Sequence, residues 1–284
     1  LKRQGGVVMI EIPEAVVLAN QVDEIARKKQ IVNVVAQQSP HKFAWYHKDP
    51  QKYGEILEGK SIQKAVAVGG LLDLQLEDAK LVFSDGVNLR YHQKGEKLPA
   101  KHQLLLEFED GSALSASVQM YGGLSCYNFG EEDSSPYYLM AKNKPSPLSE
   151  AFDESYFEKL SSAKELQKLS AKAFLATEQR IPGLGNGVLQ DILWKARIHP
   201  KRKISSLTKK EKDCMFDAIK TVLLDMTTAG GRDTEKDLFG VVGGYQTAMS
   251  RNNVGKYCHV CGGPITKEAY LGGSIYYCEQ CQKM

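Results

Sequence analysis

The chain has 284 residues, of which 42% are hydrophobic and 25% are charged, and its formal net charge is only +3. This composition is sufficient for one or two globular cores and excludes a disordered or fibrous protein. No stretch approaches the roughly 18 uncharged apolar residues of a membrane span, and the first residues lack the apolar run of a secretory signal. We therefore expect a soluble, cytoplasmic protein with no membrane partner.

The N-terminal segment predicts one amphipathic helix over residues 13–29. Pro13 suits the first helical position, and apolar residues recur behind it with helical spacing. Two carboxylates, Glu11 and Glu14, flank Pro13. They suit acid–base chemistry, or simply the favourable charge at a helix N-terminus, and these residues alone favour the second explanation.

The residues before this helix can be encoded by a ribosome-binding sequence. Codons for Gln4, Gly5 and Gly6 can read CAA GGA GGN, which contains AAGGAGG at a suitable distance before a Met9 codon. We therefore expect translation to start at Met9 and residues 1–8 to be a non-native leader.

Residues 9–135 predict the leading helix followed by an antiparallel β-sandwich or barrel. Leu72, Leu74 and Leu76 alternate with polar residues, which is the period of a strand with one buried face. A second strand over residues 104–108 is followed by Asp110-Gly111, a hairpin turn signal. Further short strands are expected at residues 81–83, 87–91 and 113–119.

A loop over residues 130–149, rich in Gly, Ser, Pro and acidic residues, predicts a boundary before a helical domain at residues 150–250. The capping box from Thr208 to Glu211 opens the last helix of this domain, and Gly230-Gly231 ends it. Helices are expected at residues 158–166, 171–179, 186–196 and 209–226.

The two halves of the chain differ in charge. Residues 9–157 contain 15 Lys and Arg against 21 Asp and Glu, whereas residues 158–284 contain 20 against 13. A polyanion would therefore favour the C-terminal half. In that half, glycines over residues 181–186 precede a helix and a basic run that includes Lys201 and Arg202. Backbone N–H groups there suit a phosphate, although a plain N-cap and turn is the simpler explanation.

The C-terminal residues 251–284 contain four closely spaced cysteines. Cys258 and Cys261 form one C-x2-C pair, and Cys278 and Cys281 form another after sixteen intervening residues. Two such pairs let four thiolates surround one zinc ion, and the segment between them suits a β-hairpin. Two disulfides or unrelated free thiols are the alternatives, and a cytoplasmic location disfavours disulfides.

Three of these features together resemble the formamidopyrimidine-DNA glycosylase / endonuclease VIII family of base-excision repair enzymes. The family's Pro-Glu-Leu-Pro-Glu start is similar to residues 10–14, its Gly-x-Gly-Asn and His-Pro motifs to residues 183–186 and 199–200, and its zinc hairpin to residues 258–281. The resemblance covers nearly the whole chain. It implies an α+β multidomain fold: an N-terminal antiparallel β-sandwich with a leading helix, a helix-two-turn-helix domain and a C-terminal zinc β-hairpin.

The resemblance also implies a monomeric, nucleoid-associated enzyme that binds damaged double-stranded DNA and carries one structural Zn²⁺. In the family, a proline amine attacks C1′ of a nucleotide flipped out of the duplex, a neighbouring Glu protonates the sugar, and elimination nicks the strand. Glu11, with Glu14 near it, matches the catalytic carboxylate; Ile10 occupies the nucleophile position, and Met9 offers an α-amine. DNA contacts are expected at Lys101, His102, Lys172, Gly183, Asn186, Lys201, Arg202 and Tyr245.

The match fails at several positions of the family's catalytic machinery. The departures are Ile10 for the proline, Gly70 for the assisting lysine, Val87 for the intercalating methionine, Gln119 and Met120 for the void-filling arginines, and Gly273 for the zinc-hairpin arginine. Either an α-amine of Met9 or Ile10 still forms the imine, or Glu11 acts without covalent help, as a base for water or as a stabiliser of an oxocarbenium ion. We favour a glycosylase whose lyase activity is weakened or lost.

Two other functions compete with this prediction. A catalytically inactive DNA-binding module would keep the same scaffold without turnover. A zinc-ribbon protein that binds RNA would share only the cysteines and the basic helix.

Overall fold

The computed structural model describes residues 9–131 and 135–284, so the predicted leader lies outside the described residues. The first half contains α1 Ile12–Ala26, β1 Ile31–Ala36, β2 Ala44–His47, α2 Tyr53–Leu57, β3 Lys64–Val68, β4 Leu71–Gln75, β5 Ala79–His92, β6 Leu104–Phe108 and β7 Ala113–Asn128. The second half contains α3 Pro136–Asn143, α4 Glu154–Ser162, α5 Ala171–Ala176, α6 Val188–Lys195, α7 Lys209–Thr228, β8 Ile265–Tyr270 and β9 Gly273–Cys278. The predicted α+β class is confirmed.

The strands of the first half form one seven-stranded sheet in the order β1-β6-β7-β5-β4-β3, with β2 alongside β7. All the pairs along this path are antiparallel, as predicted, but β2 runs parallel to β7. The expected strands at residues 81–83 and 87–91 are one strand, β5, whose register shifts between Asp85 and Val87. This shift matters for function because Asp85 lies at the irregularity, with a left-handed backbone (φ +54°).

Helix α1 joins the two largest cores of the protein. Ile10, just before the helix, is buried in the core of the sheet, whereas Ile12 is buried in the core formed by the C-terminal helices. Further along α1, Leu18 and Val22 pack in the sheet core. The alternation places the residue between the two isoleucines, Glu11, at the junction of the cores.

The C-terminal helices form the second core. The capping box of α7 is confirmed, because the Thr208 side chain accepts from the backbone of Glu211 and the Glu211 side chain accepts from the backbone of Thr208. Gly231 (φ +98°) follows α7 and donates its N–H to the Met226 carbonyl at 2.8 Å. The segment predicted as a loop, residues 130–149, is in part helical: Ser135 caps α3, and Tyr138 and Ala141 are buried. Among the described residues, no helix is both long and apolar enough to span a membrane.

The C-terminal hairpin, β8 and β9, is anchored to α6. The side-chain oxygen of Gln190 accepts the Tyr276 N–H at 3.0 Å, and Trp194 packs against the apolar cluster that contains the cysteines. On the same helix, the buried carboxylate of Asp191 accepts the N–H groups of Ala248 and Met249 at 2.9 and 2.7 Å. Helix α6 therefore fixes both the hairpin and the segment that leads to it.

The sheet and the helical core meet through glycine backbone. A Cβ on Gly70 would lie 2.8 Å from the Cα of Gly183, and a Cβ on Gly183 would lie 2.1 Å from the Gly70 nitrogen. Gly183 also has a φ of +79°. Glycine at both positions is therefore a condition for the close approach of the two halves.

The junction yields a stability prediction for Gly183→Ala. The substitution introduces a clash with rigid backbone as well as left-handed strain, so we expect a loss of unfolding free energy about 1–3 kcal/mol larger than that from strain alone. Gly59→Ala is the matched control, because Gly59 has the same φ of +79° and open space where its Cβ would be. Urea unfolding of both variants makes the comparison, and equal losses would contradict the close approach.

Candidate active site and metal centre

A cleft of about 610 Å³ lies between the sheet, the helical core and the hairpin. Its residues come from the start of α1, from the β5 irregularity, from the loop before α6, from the segment after α7 and from the β8–β9 turn. Its lining residues include Met9, Ile10, Glu11, Asp85, Lys172, Gly183, Asn186, Arg232, Glu235 and Gly273. The cleft therefore collects residues that are distant in the sequence around the N-terminal motif.

Glu11 lies at the floor of the cleft with only 5% of its surface exposed. Its two carboxylate oxygens accept the backbone N–H groups of Gly187 and Val188, each at 2.8 Å. These groups begin α6, where the unpaired N–H donors and the helix dipole favour a negative charge. Burial raises the pKa of Glu11, while Arg232 and these two donors oppose the shift. The carboxylate is thus held in one orientation.

A buried arginine organises the carboxylates of α1. Arg232 is 2% exposed, and its Nε and Nη2 donate to the two oxygens of Glu14 at 2.8 and 2.7 Å. Its Nη1 lies 3.6 Å from Glu11 Oε2. Burial alone would lower the pKa of Arg232, but Glu14 and Glu11 raise it above its ordinary value. One guanidinium therefore pairs with two carboxylates, those of Glu11 and Glu14.

The glycines before α6 make room for this ion cluster. A Cβ on Gly185 would lie 2.7 Å from the Glu11 carboxyl group, and one on Gly187 would lie 1.7 Å from Arg232 Nη1. The expectation of a phosphate at this helix N-terminus needs correction, because the N–H groups of residues 187 and 188 donate to Glu11. The protein's own carboxylate occupies the anion position.

The backbone before α1 donates hydrogen bonds to two further acidic residues, to the main-chain carbonyl of Asp85 and to the carboxylate of Glu235. The Ile10 N–H donates to the Asp85 carbonyl at 2.7 Å, and the Met9 N–H donates to Glu235 Oε2 at 3.1 Å. Asp85 and Glu235 both line the cleft. Burial raises the pKa of Asp85, and burial raises the pKa of Glu235 to about 7.

The hairpin side of the cleft carries Lys172 and Asn186. The Lys172 ammonium donates to the Tyr270 carbonyl, and Asn186 Nδ2 donates to the Ser274 carbonyl at 3.0 Å. A Cβ on Gly273 would lie 3.4 Å from Lys172 Nζ. Lys172 and Asn186 thus contact the hairpin around Gly273, which has no side chain.

The remaining predicted DNA contacts lie outside this cleft. Lys101 is exposed, whereas His102 is buried, with Nδ1 3.1 Å from the Pro99 carbonyl and with no hydrogen-bond partner for Nε2 among the described residues. Lys201 pairs with Glu268 and Arg202 with Glu211, while Tyr245 packs against the helical core. Three of the five, Lys201, Arg202 and Tyr245, therefore have structural partners within the chain.

The four C-terminal cysteines converge on one point. Their sulfur atoms all lie within 4.8 Å of one another, with Cys258–Cys281 at 3.8 Å and Cys261–Cys278 at 3.3 Å. Thiolates arranged tetrahedrally at about 2.3 Å from a metal ion are about 3.8 Å apart. The cluster therefore fits a four-sulfur metal site.

Comparisons with known proteins agree with this architecture. Residues 144–237 match the family model described as the formamidopyrimidine-DNA glycosylase H2TH domain. Formamidopyrimidine-DNA glycosylases of Bacillus licheniformis and Halalkalibacterium halodurans are 27% and 28% identical, each over 97% of this chain and 100% of the relative. The Thermus thermophilus MutM (Fpg) structure superimposes with a TM-score of 0.79 at 25% identity, over 96% of this chain and 98% of that one.

A structure of Lactococcus lactis Fpg (MutM) superimposes still better, with a TM-score of 0.82 at 25% identity, over 96% of this chain and all of that chain. Over nearly its whole length the chain is similar to formamidopyrimidine-DNA glycosylases. Residue 10, where the sequence resemblance expects a proline, is a buried isoleucine, 4% exposed, whose backbone N–H donates to the Asp85 carbonyl.

Three residues of the site, Arg232, Glu235 and Asp85, were missed by sequence reasoning. Arg232 is separated from Glu14 by 218 residues, and Glu235 from Met9 by 226, so no local spacing relates them. One signal was present in the sequence: a pair of acidic residues at the start of a helix with apolar neighbours requires a buried counter-charge.

Replacing Arg232 tests the ion cluster. In Arg232→Met the carboxylates of Glu11 and Glu14 stay buried without their cation, so we expect a loss of about 3–5 kcal/mol of unfolding free energy at neutral pH. Because burial raises the pKa of unpaired carboxyl groups above their unfolded values, stability lost at neutral pH should return as the pH falls through the raised pKa values. Chemical unfolding between pH 5 and pH 8 measures this.

Two controls make the Arg232 result specific. Lys209→Met removes an exposed cation that pairs with Glu158 and Asp213, and it should change stability by less than about 0.5 kcal/mol. Adding Glu14→Gln to Arg232→Met should recover part of the loss. A pH-independent loss, or none, would show that the cluster is not held by charge.

Proposed function

We propose that this chain is a DNA glycosylase that binds damaged duplex DNA and releases a flipped-out base by hydrolysis, with its abasic-site lyase activity weakened or lost. The observation that carries the proposal is the contrast between two neighbouring residues. Glu11 is oriented at the cleft floor by Gly187, Val188 and Arg232, while the Ile10 nitrogen is an amide already bonded to Asp85. A carboxylate is in place for chemistry on a sugar, and a secondary amine is not.

Duplex DNA as the partner is supported by the relatives and by the charges of the chain. Solved structures of Lactococcus lactis Fpg, similar to this chain over 96% of its length, contain abasic-site DNA or DNA with a Fapy-dG lesion. In this chain Lys172 lies in the cleft, and Lys101 is exposed next to His102, whose Nε2 is buried without a protein partner. The Lys172 and Lys101 ammonium groups are suited to contact phosphates of a bound duplex.

The reaction we propose needs no covalent link between protein and sugar. The damaged nucleotide must leave the stack, because its glycosidic bond is inaccessible inside the duplex. Loss of the base then leaves positive charge on the sugar, which the fixed carboxylate of Glu11 stabilises while water adds to C1′. Since the Ile10 nitrogen is a backbone amide whose lone pair is delocalised into its carbonyl, it cannot act as the nucleophile of imine formation and strand elimination.

A DNA-binding module without turnover is the second candidate. It is favoured by Gly70, where the junction with Gly183 leaves no space for the family's assisting lysine. The two candidates differ in one measurable property, release of a base from a lesion duplex with enzyme in excess.

A single-turnover assay on a panel of lesion duplexes tests the proposed function. We expect base release from at least one lesion by the wild-type chain, a loss of about 10²- to 10⁴-fold in Glu11→Gln, and no borohydride-trapped adduct on abasic-site DNA. Glu24→Gln is the control, because Glu24 is an exposed carboxylate on the same helix. Binding without base release would favour the inactive module, and a strong covalent adduct would overturn the loss of lyase activity.

We further propose that the cysteine cluster binds one structural zinc ion, because four thiolates in tetrahedral arrangement are typical of closed zinc sites. Bound zinc would hold β8 and β9 and, through Gln190 and Trp194, the hairpin's position over the cleft. Elemental analysis should find one zinc per chain in the wild type and none in Cys278→Ser, with weaker DNA binding in the variant. Cys214→Ser, at an exposed free cysteine, should retain the metal. A folded hairpin in wild-type protein purified without metal would contradict the proposal.

A further inference from the structure

We propose that Glu235 is the general base of this site, which takes the proton from the water that attacks C1′. This inference rests on the proposed function, since it assigns a residue to the hydrolytic step. Glu235 lies in the segment after α7, lines the same cleft as Glu11 and Ile10, and is 6% exposed. Its Oε2 accepts the Met9 N–H at 3.1 Å. The carboxyl group of Glu235 therefore lies next to the residue that precedes Ile10, the expected nucleophile position.

The buried groups around Glu235 would carry more negative than positive charge if all were ionised. Glu11, Glu14 and Glu235 share one buried cation, Arg232, so three ionised carboxylates would leave the cluster with a net charge of −2. Burying two uncompensated charges is costly, and one carboxyl group therefore binds a proton more readily than the others. Lys236 and Asp237 line the small cavity beside Glu235, and they add one positive and one negative charge there.

The number of hydrogen-bond donors indicates which of the three carboxyl groups, Glu11, Glu14 or Glu235, binds a proton most readily. Glu11 accepts two backbone N–H groups and faces Arg232, and Glu14 accepts two N–H groups of the Arg232 guanidinium. For Glu235 the described contacts give one backbone donor, the Met9 N–H. Burial raises the pKa of Glu11 as well, but Arg232 and two backbone donors oppose that shift. Since donors stabilise the charged form and Glu235 has fewer of them, the cluster favours the proton on Glu235. Burial accordingly raises the pKa of Glu235 to about 7, where a group exchanges protons efficiently at neutral pH.

The two carboxyl groups that lie near residues 9 and 10, those of Glu11 and Glu235, then have separate roles. Glu11, fixed by its donors, stays oriented toward the cationic sugar, and Glu235 changes its protonation state. In the step, the C1′–N bond breaks and its electron pair leaves with the base, which takes a proton from solvent. A new C1′–O bond forms to water, whose proton moves to Glu235 and is later lost to solvent. The sum is one water consumed, one base released and one abasic sugar formed.

The test compares wild type with Glu235→Gln, which keeps the shape and removes the proton-accepting oxygen. In single-turnover base release from pH 5.5 to pH 8.5, we expect the wild-type rate to rise with pH through about 7 as Glu235 loses its proton. Glu235→Gln should release base about 10²- to 10⁴-fold more slowly, with a flat profile and unchanged affinity for lesion DNA. Glu235→Asp should recover part of the rate, and Glu24→Gln should behave as wild type.

A second measurement reads the proton on Glu235 without turnover. Carbon-13 NMR of labelled glutamate carboxyls, assigned with Glu235→Gln, should show one resonance that titrates near pH 7 and is missing from the variant. An active Glu235→Gln enzyme with the wild-type profile, or an ordinary glutamate titration at this residue, would overturn the role of Glu235 alone. A wild type that binds lesion DNA but releases no base would overturn the proposed function, and the role of Glu235 with it.

Discussion

The architecture depends on the buried interaction of Arg232 with the two carboxylates at the start of α1. Charges this deep in a protein are tolerated only when they are paired and hydrogen-bonded, and here one guanidinium serves Glu14 directly and faces Glu11. The pairing forces three distant segments together: the N-terminal motif, the glycine loop before α6 and the segment after α7. The cleft is the space between these segments, so the position of Glu11 in the cleft depends on the contacts that Arg232 makes with Glu11 and Glu14.

The same constraint underlies our proposal of a mechanism without a proline nucleophile. Glu11 is anchored to the first N–H groups of α6, and the Ile10 side chain is buried in the sheet core. Position 70, where the assisting lysine would lie, meets the backbone of Gly183. The groups that supply covalent catalysis are absent together, while a carboxylate-lined cleft remains. A hydrolytic glycosylase is the function that we propose for these remaining groups.

Local patterns in the sequence predicted those features whose causes are local. The strand at residues 104–108, the capping box of α7 and the spacing of the cysteines each depend on neighbouring residues, and each was predicted correctly. Strand β2 was missed because it is short, only partly buried, and pairs in parallel with a segment about 78 positions away. Arg232 and Glu235 were missed for the same reason, since their partners lie more than two hundred residues away along the chain.

We propose that an extrahelical nucleotide lies in this cleft against Glu11, with no bond to residue 9 or 10. A crystal structure of the chain with duplex DNA that carries a tetrahydrofuran abasic analogue tests it most directly. We predict the analogue's sugar within hydrogen-bonding reach of the Glu11 and Glu235 carboxylates, and the Ile10 nitrogen still bonded to the Asp85 carbonyl. Bound DNA whose sugar lies outside the cleft, with the Glu11 carboxylate turned away from it, would contradict the account.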